Sequence, residues 1–435
     1  MKQHKQLVLS KIYVGILLVV FGGIVLHAPF SVAMGTLFPG HSLLIKSWKE
    51  ILMLVAGVIT IFLLYKTNKT KILRDPIILI IAAYAALHLA LLIYNFHGVA
   101  ASLAGLAIDL RYVFFFALVY IAINLYPEYR KIFIRVGIAG ALIVLIFAIL
   151  QVFILPHDIL KYIGYNINTI SPYLTVDQNN DFIRINSTLR GPNPLGAYSV
   201  IVLAIAVAAI SKNKIKRTKT SIIITIALLF GGLVALWSSY SRSALIAAVL
   251  SVAIVLATTV FHKLSTKMWI TIGLSMIILT AGVYMITGNQ FMSNVLLHEN
   301  PSGGSNISSN EGHINSLQDG INQLVRQPLG AGIGSTGSAS LYSNNQEIIE
   351  NQYLFTAHEI GWLGLVGFIV IFGLIIYRLW KLRSNWLSLG VFASGVGLAL
   401  IGMLLPVWVD DTIAIIWWGL AAIVIYPKNR NIIDL

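Results

Sequence analysis

The chain has 435 residues, 57% hydrophobic and 11% charged, with mean hydropathy +0.84. Soluble domains carry about 25% charged residues, so a soluble globular fold is excluded and a polytopic membrane protein is implied. The absence of cysteine excludes disulfides, thiolate nucleophiles and cysteine-based metal sites, and the meaning of the net charge of +14 depends on where the charges lie.

A membrane-spanning helix needs roughly 20 apolar residues. Twelve stretches qualify, at about 8–28, 49–65, 76–95, 107–126, 132–155, 194–211, 221–238, 243–261, 268–287, 356–377, 386–405 and 408–426. The first is long enough to span and has no small-residue cleavage site, so it reads as a retained helix rather than a signal peptide. Gly22, Gly23 and Gly57 in the early spans suit close helix packing.

The connections alternate in character. Short basic ones hold Lys66, Lys69, Lys71 and Arg74; Arg130, Lys131 and Arg135; Lys212, Lys214, Lys216, Arg217 and Lys219; Lys263 and Lys267; and Arg378, Lys381 and Arg383. With Lys2, Lys5 and Lys11 at the start and Lys428 and Arg430 at the end, 22 of the 30 basic residues fall on one side. The positive-inside rule makes that side, and both termini, cytoplasmic. The positive charge is therefore a topology signal, and no nucleic-acid partner is expected.

The long connections, 156–193 and 288–355, fall on the opposite, extracytoplasmic side, and long polar loops between short ones carry function. Asp109 and Arg111, at the outer mouth of the fourth span, read first as a pair, because charges inside a membrane find partners; the alternative is that Arg111 faces the central cavity. Loop 156–193 is turn-rich and is expected to be irregular.

Its end, Arg184–Tyr198, reads RINSTLRGPNPLGAY and runs straight into an apolar helix. Arginine beside a membrane is costly unless it meets an anion or a water-filled cavity. A guanidinium fork with Gly and Pro at a helix entrance suits phosphate. Arg184 and Arg190 are thus candidate phosphate ligands, with Asn193 beside them. Between the seventh and eighth spans, WSSYSRSA (237–244) places Arg242 among serines on the same face, with no partner in the local sequence.

Loop 288–355 has three parts: flexible NPSGGSNISSN (300–310), an amphipathic helix and a glycine-rich turn. Asn310 would cap the helix at 311–325, with Ile314, Leu317, Ile321 and Leu324 on one face. QPLGAGIGSTGS (327–338) lacks the GK[ST] of a phosphate loop, so its glycines are expected to let backbone pack tightly. Glu350, Asn351, His358 and Glu359 stand at the mouth of the next span, and His313 opens the amphipathic helix. Asp410 and Asp411 read as an interfacial feature rather than a metal clamp.

The order of these segments resembles the O-antigen ligase/O-antigen polymerase superfamily. R-x-x-S-T-x-x-x-P-N-x-x-G (Arg184 to Gly196), S-R-S-A (241–244) and P-L-G-x-G-x-G (328–334) with E-N-x-Y-L (350–354) and E-x-G-x-x-G (359–364) carry the resemblance. They cover residues 184–368, while the remaining spans match in hydropathy alone.

The resemblance implies an all-α polytopic membrane glycosyltransferase of the GT-C type in a bacterial cytoplasmic membrane, free of metal and cofactor, with its site on the extracytoplasmic face. It implies an undecaprenyl-pyrophosphate-linked glycan donor whose repeat units are polymerised into capsule, exopolysaccharide or O-antigen, and a glycan or lipid-linked acceptor. Arg184 and Arg242 match the pyrophosphate-holding arginines, and Arg190 is an additional basic residue. Ligases carry a histidine where Glu350 stands and a basic residue ahead of the amphipathic helix, near His313. These departures lean toward a polymerase over a ligase and make Glu350 and His313 the candidate proton acceptors, with Asn193 and Asn351 as further substrate contacts. A flippase or transporter for lipid-linked sugars also fits twelve spans, but no internal repeat or midplane charge set supports it.

Overall fold

The structure is a computed structural model. It describes residues 2–176, 179–212, 218–260, 318, 320–322, 324–343 and 346–425. His313, the span expected at 268–287 and the segment 300–310 lie outside the described residues.

The helices are α1 (Lys2–Gly23), α2 (His27–Leu37), α3 (Ser42–Lys46), α4 (Trp48–Thr67), α5 (Pro76–Tyr94), α6 (Val99–Leu125) and α7 (Arg130–Phe153). A hairpin of β1 (Tyr173–Val176) and β2 (Asn179–Ile185) precedes α8 (Pro192–Ser211), α9 (Lys219–Ser238) and α10 (Arg242–Thr259). The remainder holds α11 (Gly337–Ser340), α12 (Gln352–Lys381), α13 (Trp386–Ile401) and α14 (Asp411–Val424). Among the described residues nine helical segments are long and apolar enough to cross a membrane, and α13 and α14 are shorter apolar helices. Eleven of the twelve expected stretches therefore coincide with helices.

Side-chain caps fix several helix starts. The Asp75 carboxylate accepts from Ile77 N ahead of Pro76, and Asn351, Asn385 and Asp410 each accept two backbone N–H groups at the starts of α12, α13 and α14. Such a cap is worth about 1 kcal/mol.

α6 and α14 form the centre. Every residue of α14 after Asp411 is buried, and Trp417 and Trp418 pack with Trp408, Phe372 and Tyr112. A Cβ on Gly419 would lie 2.8 Å from Phe115 and 2.9 Å from Phe21, so this glycine sets the approach of α14 to α6 and α1. The outward helix surfaces are bare apolar side chains, with Val58, Ile61 and Ile93 70%, 73% and 86% exposed. Continuous apolar exposure of this kind suits a lipid solvent.

Contacts sort the connections onto two faces. On the basic face, Arg378 donates to both Asp75 oxygens at 2.8 and 2.9 Å, Tyr120 donates to the same carboxylate, and Lys69 reaches the Leu125 carbonyl. The other face gathers the hairpin, the glycine-rich turn and the 402–410 connection.

Two expectations for the loops need correcting. Loop 156–193 is not irregular throughout: β1 and β2 pair antiparallel, with Leu174 opposite Arg184 and a bulge at Thr175/Val176. The β-branched and aromatic residues of YLTV and FIRI favour this pairing. In the amphipathic helix, residues 318, 320–322 and 324–326 are helical. Leu324 is buried beside Ile349, Leu354 and Phe355, but Ile321 is 47% exposed. Gly320, four residues from Leu324, faces the start of α12 instead, where a Cβ would lie 2.8 Å from Leu354.

Candidate functional site

Arg184 sits at the junction of three elements. On β2 it donates through Nε to the Ser239 carbonyl at 2.9 Å and through an Nη to the Asn193 side-chain oxygen at 2.6 Å. Asn193 belongs to the first turn of α8, and Ser239 to the turn between α9 and α10. One guanidinium thus ties the hairpin, the entrance of α8 and the turn that delivers Arg242.

Helix packing brings those two entrances together. A Cβ on Gly196 would lie 2.7 Å from Ala244 Cβ, 2.9 Å from Ser239 Oγ and 3.1 Å from Ser241 Cβ. Only glycine lets α8 begin this close to α10. Arg242 is the first residue of α10 and is half-buried. Arg184, Arg242 and Glu350 are all engaged by contacts, so Arg242 is not the partnerless cation its local sequence suggests.

The turn carrying Arg242 is strained. Tyr240 has φ +46°, a left-handed conformation that costs a tyrosine about 1–3 kcal/mol. Its ring packs edge-on against Phe182, two residues before Arg184 on β2, and burial raises its phenol pKa. Ser187 is also left-handed, at φ +50°. Its N–H donates to the Gln151 side chain at 3.0 Å and its hydroxyl to the Val144 carbonyl at 2.7 Å. The serine of the R-x-x-S-T segment therefore anchors the loop to α7 just downstream of Arg184. Gln151, fully buried, has no motif of its own and was not identifiable from the sequence.

Arg190 is 53% exposed, and its Nε lies 3.6 Å from Asp410. Asp410 also caps α14 through Thr412 N and Ile413 N. Asp411 joins a buried ionic group instead: His27 Nε2 lies at 2.9 Å, Lys49 Nζ at 3.4 Å, and Arg111 is in contact. Glu50 completes it, 3.2 Å from Lys49 and 3.3 Å from Arg111. The Trp48 indole donates to His27 Nδ1 at 3.0 Å. The two aspartates sit together at the start of α14 but meet different ion-pair partners.

The expected Asp109–Arg111 pair is likewise not the arrangement found. Residues two apart on a helix point in different directions. Arg111 turns to Glu50 and Asp411, and Asp109 faces His88 at 3.8 Å.

The glycine-rich turn packs as the sequence indicates. Gly330, Gly332, Gly334 and Gly337 all have positive φ. A Cβ on Gly334 would lie within 2.6 Å of the Ala101 backbone, and one on Gly330 within 2.6 Å of Gly361 N. The turn fills a break in α12 at Ile360 and Gly361: Ala331 N donates to His358 O, and Trp362 N to Pro328 O. Buried Glu359 locks it by accepting from Gly334 N at 2.5 Å and Thr336 N at 2.9 Å.

Asn351 spends its side chain on the protein. Its oxygen caps α12 and its amide donates to Met403 O at 2.6 Å. With Gln352, whose side-chain oxygen accepts from Trp408 N, it fixes the α12 start, and hence Glu350, to the 402–410 connection. That connection ends at Asp410, the partner of Arg190. A second titratable pair, His358 Nε2 and Glu347 at 3.5 Å, lies on the same face.

The structure thus brings Arg184, Asn193 and the Arg242 turn together and links Arg190 to the Glu350 end through Asp410. Comparison of the chain with protein-family models and with curated proteins finds no match.

Proposed function

We propose that this protein is a membrane glycosyltransferase that polymerises polyprenyl-pyrophosphate-linked repeat units on the extracytoplasmic face. The observation that carries the reading is the convergence of the Arg184 guanidinium, the α8 entrance and the Arg242 turn on one face. Two left-handed residues, Ser187 and Tyr240, hold that convergence in place. Backbone strain concentrated around two arginines at adjoining helix entrances fits a preorganised anion site.

The chemistry follows from the charges. The acceptor hydroxyl oxygen forms a bond to the donor sugar C1 while the C1–O bond to pyrophosphate breaks. Negative charge grows on the departing diphosphate oxygen, where Arg184 and Arg242 stabilise it and Arg190 adds positive potential. Attack from the face opposite the leaving group inverts the anomeric centre. Glu350 or His313 accepts the hydroxyl proton. Asn193 acts by orienting Arg184, and Asn351 by fixing the segment that bears Glu350.

The test is reconstitution of the purified protein with a lipid-linked repeat unit. Longer lipid-linked glycans support polymerisation. Transfer only to a foreign acceptor would make the protein a ligase, and movement across the bilayer without new bonds would make it a flippase.

A further inference from the structure

A cavity of about 680 Å³ opens on the basic half of the molecule, away from the arginine centre. α7, α8, α9, α13 and α14 wall it, with Phe21 of α1, and most of its lining is apolar. Its origin lies in α9. In the outer half of that helix, Gly231 and Gly232 would place a Cβ 2.8 Å from Leu145 and 2.9 Å from Leu203, so α9 is pinned to α7 and α8. Toward its basic end, Ile224, Thr225 and Leu228 of α9 line the cavity together with Ala206 and Ala209 of α8.

The cavity's dimensions match one leaflet. Along α8 it runs from Tyr198 to Ala209, about 17 Å at 1.5 Å per residue, or roughly half of a 30 Å hydrocarbon core. At its polar end stand Arg135 and the hydroxyls of Thr218, Thr220 and Ser221. Arg135 is exposed and makes no ion pair or hydrogen bond among the described residues. Lys131 lies one helical turn before Arg135 and Lys219 lies between Thr218 and Thr220, so the rim is basic. Deep apolar walls capped by an arginine and hydroxyl donors are complementary to a hydrocarbon chain ending in a phosphodiester.

We infer that this cavity is a binding site for an anionic phospholipid of the basic-side leaflet. One acyl chain lies between α8 and α9, and the phosphate is held by Arg135 with Thr220 and Ser221. The site is independent of the transferase reading, because none of its residues belongs to the arginine centre. The bound lipid fills the gap between α9 and α8 that side chains leave open.

The experiment is native mass spectrometry of the purified, delipidated full-length protein, titrated with phosphatidylglycerol or phosphatidylcholine. The wild type is expected to retain one phosphatidylglycerol in preference to phosphatidylcholine. Arg135→Gln should cut that preference about fivefold, the worth of one basic residue near an anionic lipid surface. Ala209→Phe and Ile224→Trp, which place bulk in the cavity, should each abolish retention of either lipid in protein that remains monodisperse. Equal retention of the two lipids, or phosphatidylglycerol retention unchanged in Arg135→Gln and in the monodisperse filled variants, would overturn the inference. Displacement of phosphatidylglycerol by equimolar polyprenyl phosphate would overturn the assigned occupant in favour of a carrier lipid.

Discussion

Arg184 on β2 donates to the Asn193 side chain at 2.6 Å, and this bond fixes a strand residue to the first turn of the helix that follows it. The guanidinium is consequently held in place by the protein's own groups. Asn193→Ala should lower glycan polymerisation about 10-fold or more, the usual cost of removing a residue that orients a site group. Protein abundance should be unchanged. Polymer length distributions from membranes expressing the variant provide the measurement.

Gly196 controls the spacing of the two helix entrances. Gly196→Ala would put a methyl 2.7 Å from Ala244 Cβ and force α8 away from α10. An overpacked contact costs about 1–3 kcal/mol. Activity should fall more than that destabilisation explains, because the shift also separates Asn193 from Arg184. Melting temperature and polymer yield measured on one preparation would separate the two effects.

Glu359 acts structurally. Glu359→Ala would leave the buried Gly334 and Thr336 N–H groups without their acceptor, at about 1–3 kcal/mol for each. The glycine-rich turn should then detach from the break in α12. Proteolytic cleavage within residues 327–340 is the readout, and it should increase sharply over wild type.

On the basic face, Asp75 joins α5, α6 and α12. Burial alone would raise its pKa, but the bonds from Arg378, Tyr120 and Ile77 N outweigh burial and hold it below the ordinary carboxylate value. A folded pKa below the unfolded one means that stability is gained by ionisation. That contribution is complete above the unfolded pKa of about 4 and drains as pH falls through the lowered folded value. Thermal stability in detergent should therefore drop below about pH 4 in the wild type. Asp75→Asn should show a smaller drop and a lower plateau at neutral pH.

Much of this was legible in the chain because lipid imposes simple rules. Long apolar stretches marked eleven of the described helices, although the fourth begins eight residues earlier than expected, at Val99, and the first apolar run continues to Leu37; the glycines at 330–334 announced tight packing. What the sequence concealed depends on direction around a helix or on partners far away. Arg111 looked bound to Asp109, its neighbour in the chain, yet its partners are Glu50 and Asp411, residues from two other helices. Asp410 and Asp411 looked like one feature, yet adjacent positions at a helix start project apart, one to cap α14 and meet Arg190 and one toward His27, Lys49 and Arg111. Gln151 carried no signal at all, because its function is to receive the Ser187 N–H from a loop 36 residues away. The hairpin is hidden in the sequence because its strands are short and the surrounding loop composition masks the alternation in FIRI.

The most direct test of the arginine centre is synthesis by purified protein in proteoliposomes supplied with a lipid-linked repeat unit, comparing wild type with Arg184→Ala and Arg242→Ala. Convergence of the two guanidiniums on one diphosphate predicts that the wild type makes long polymer and that each folded variant makes essentially none. Polymer at wild-type rates from either variant would contradict it.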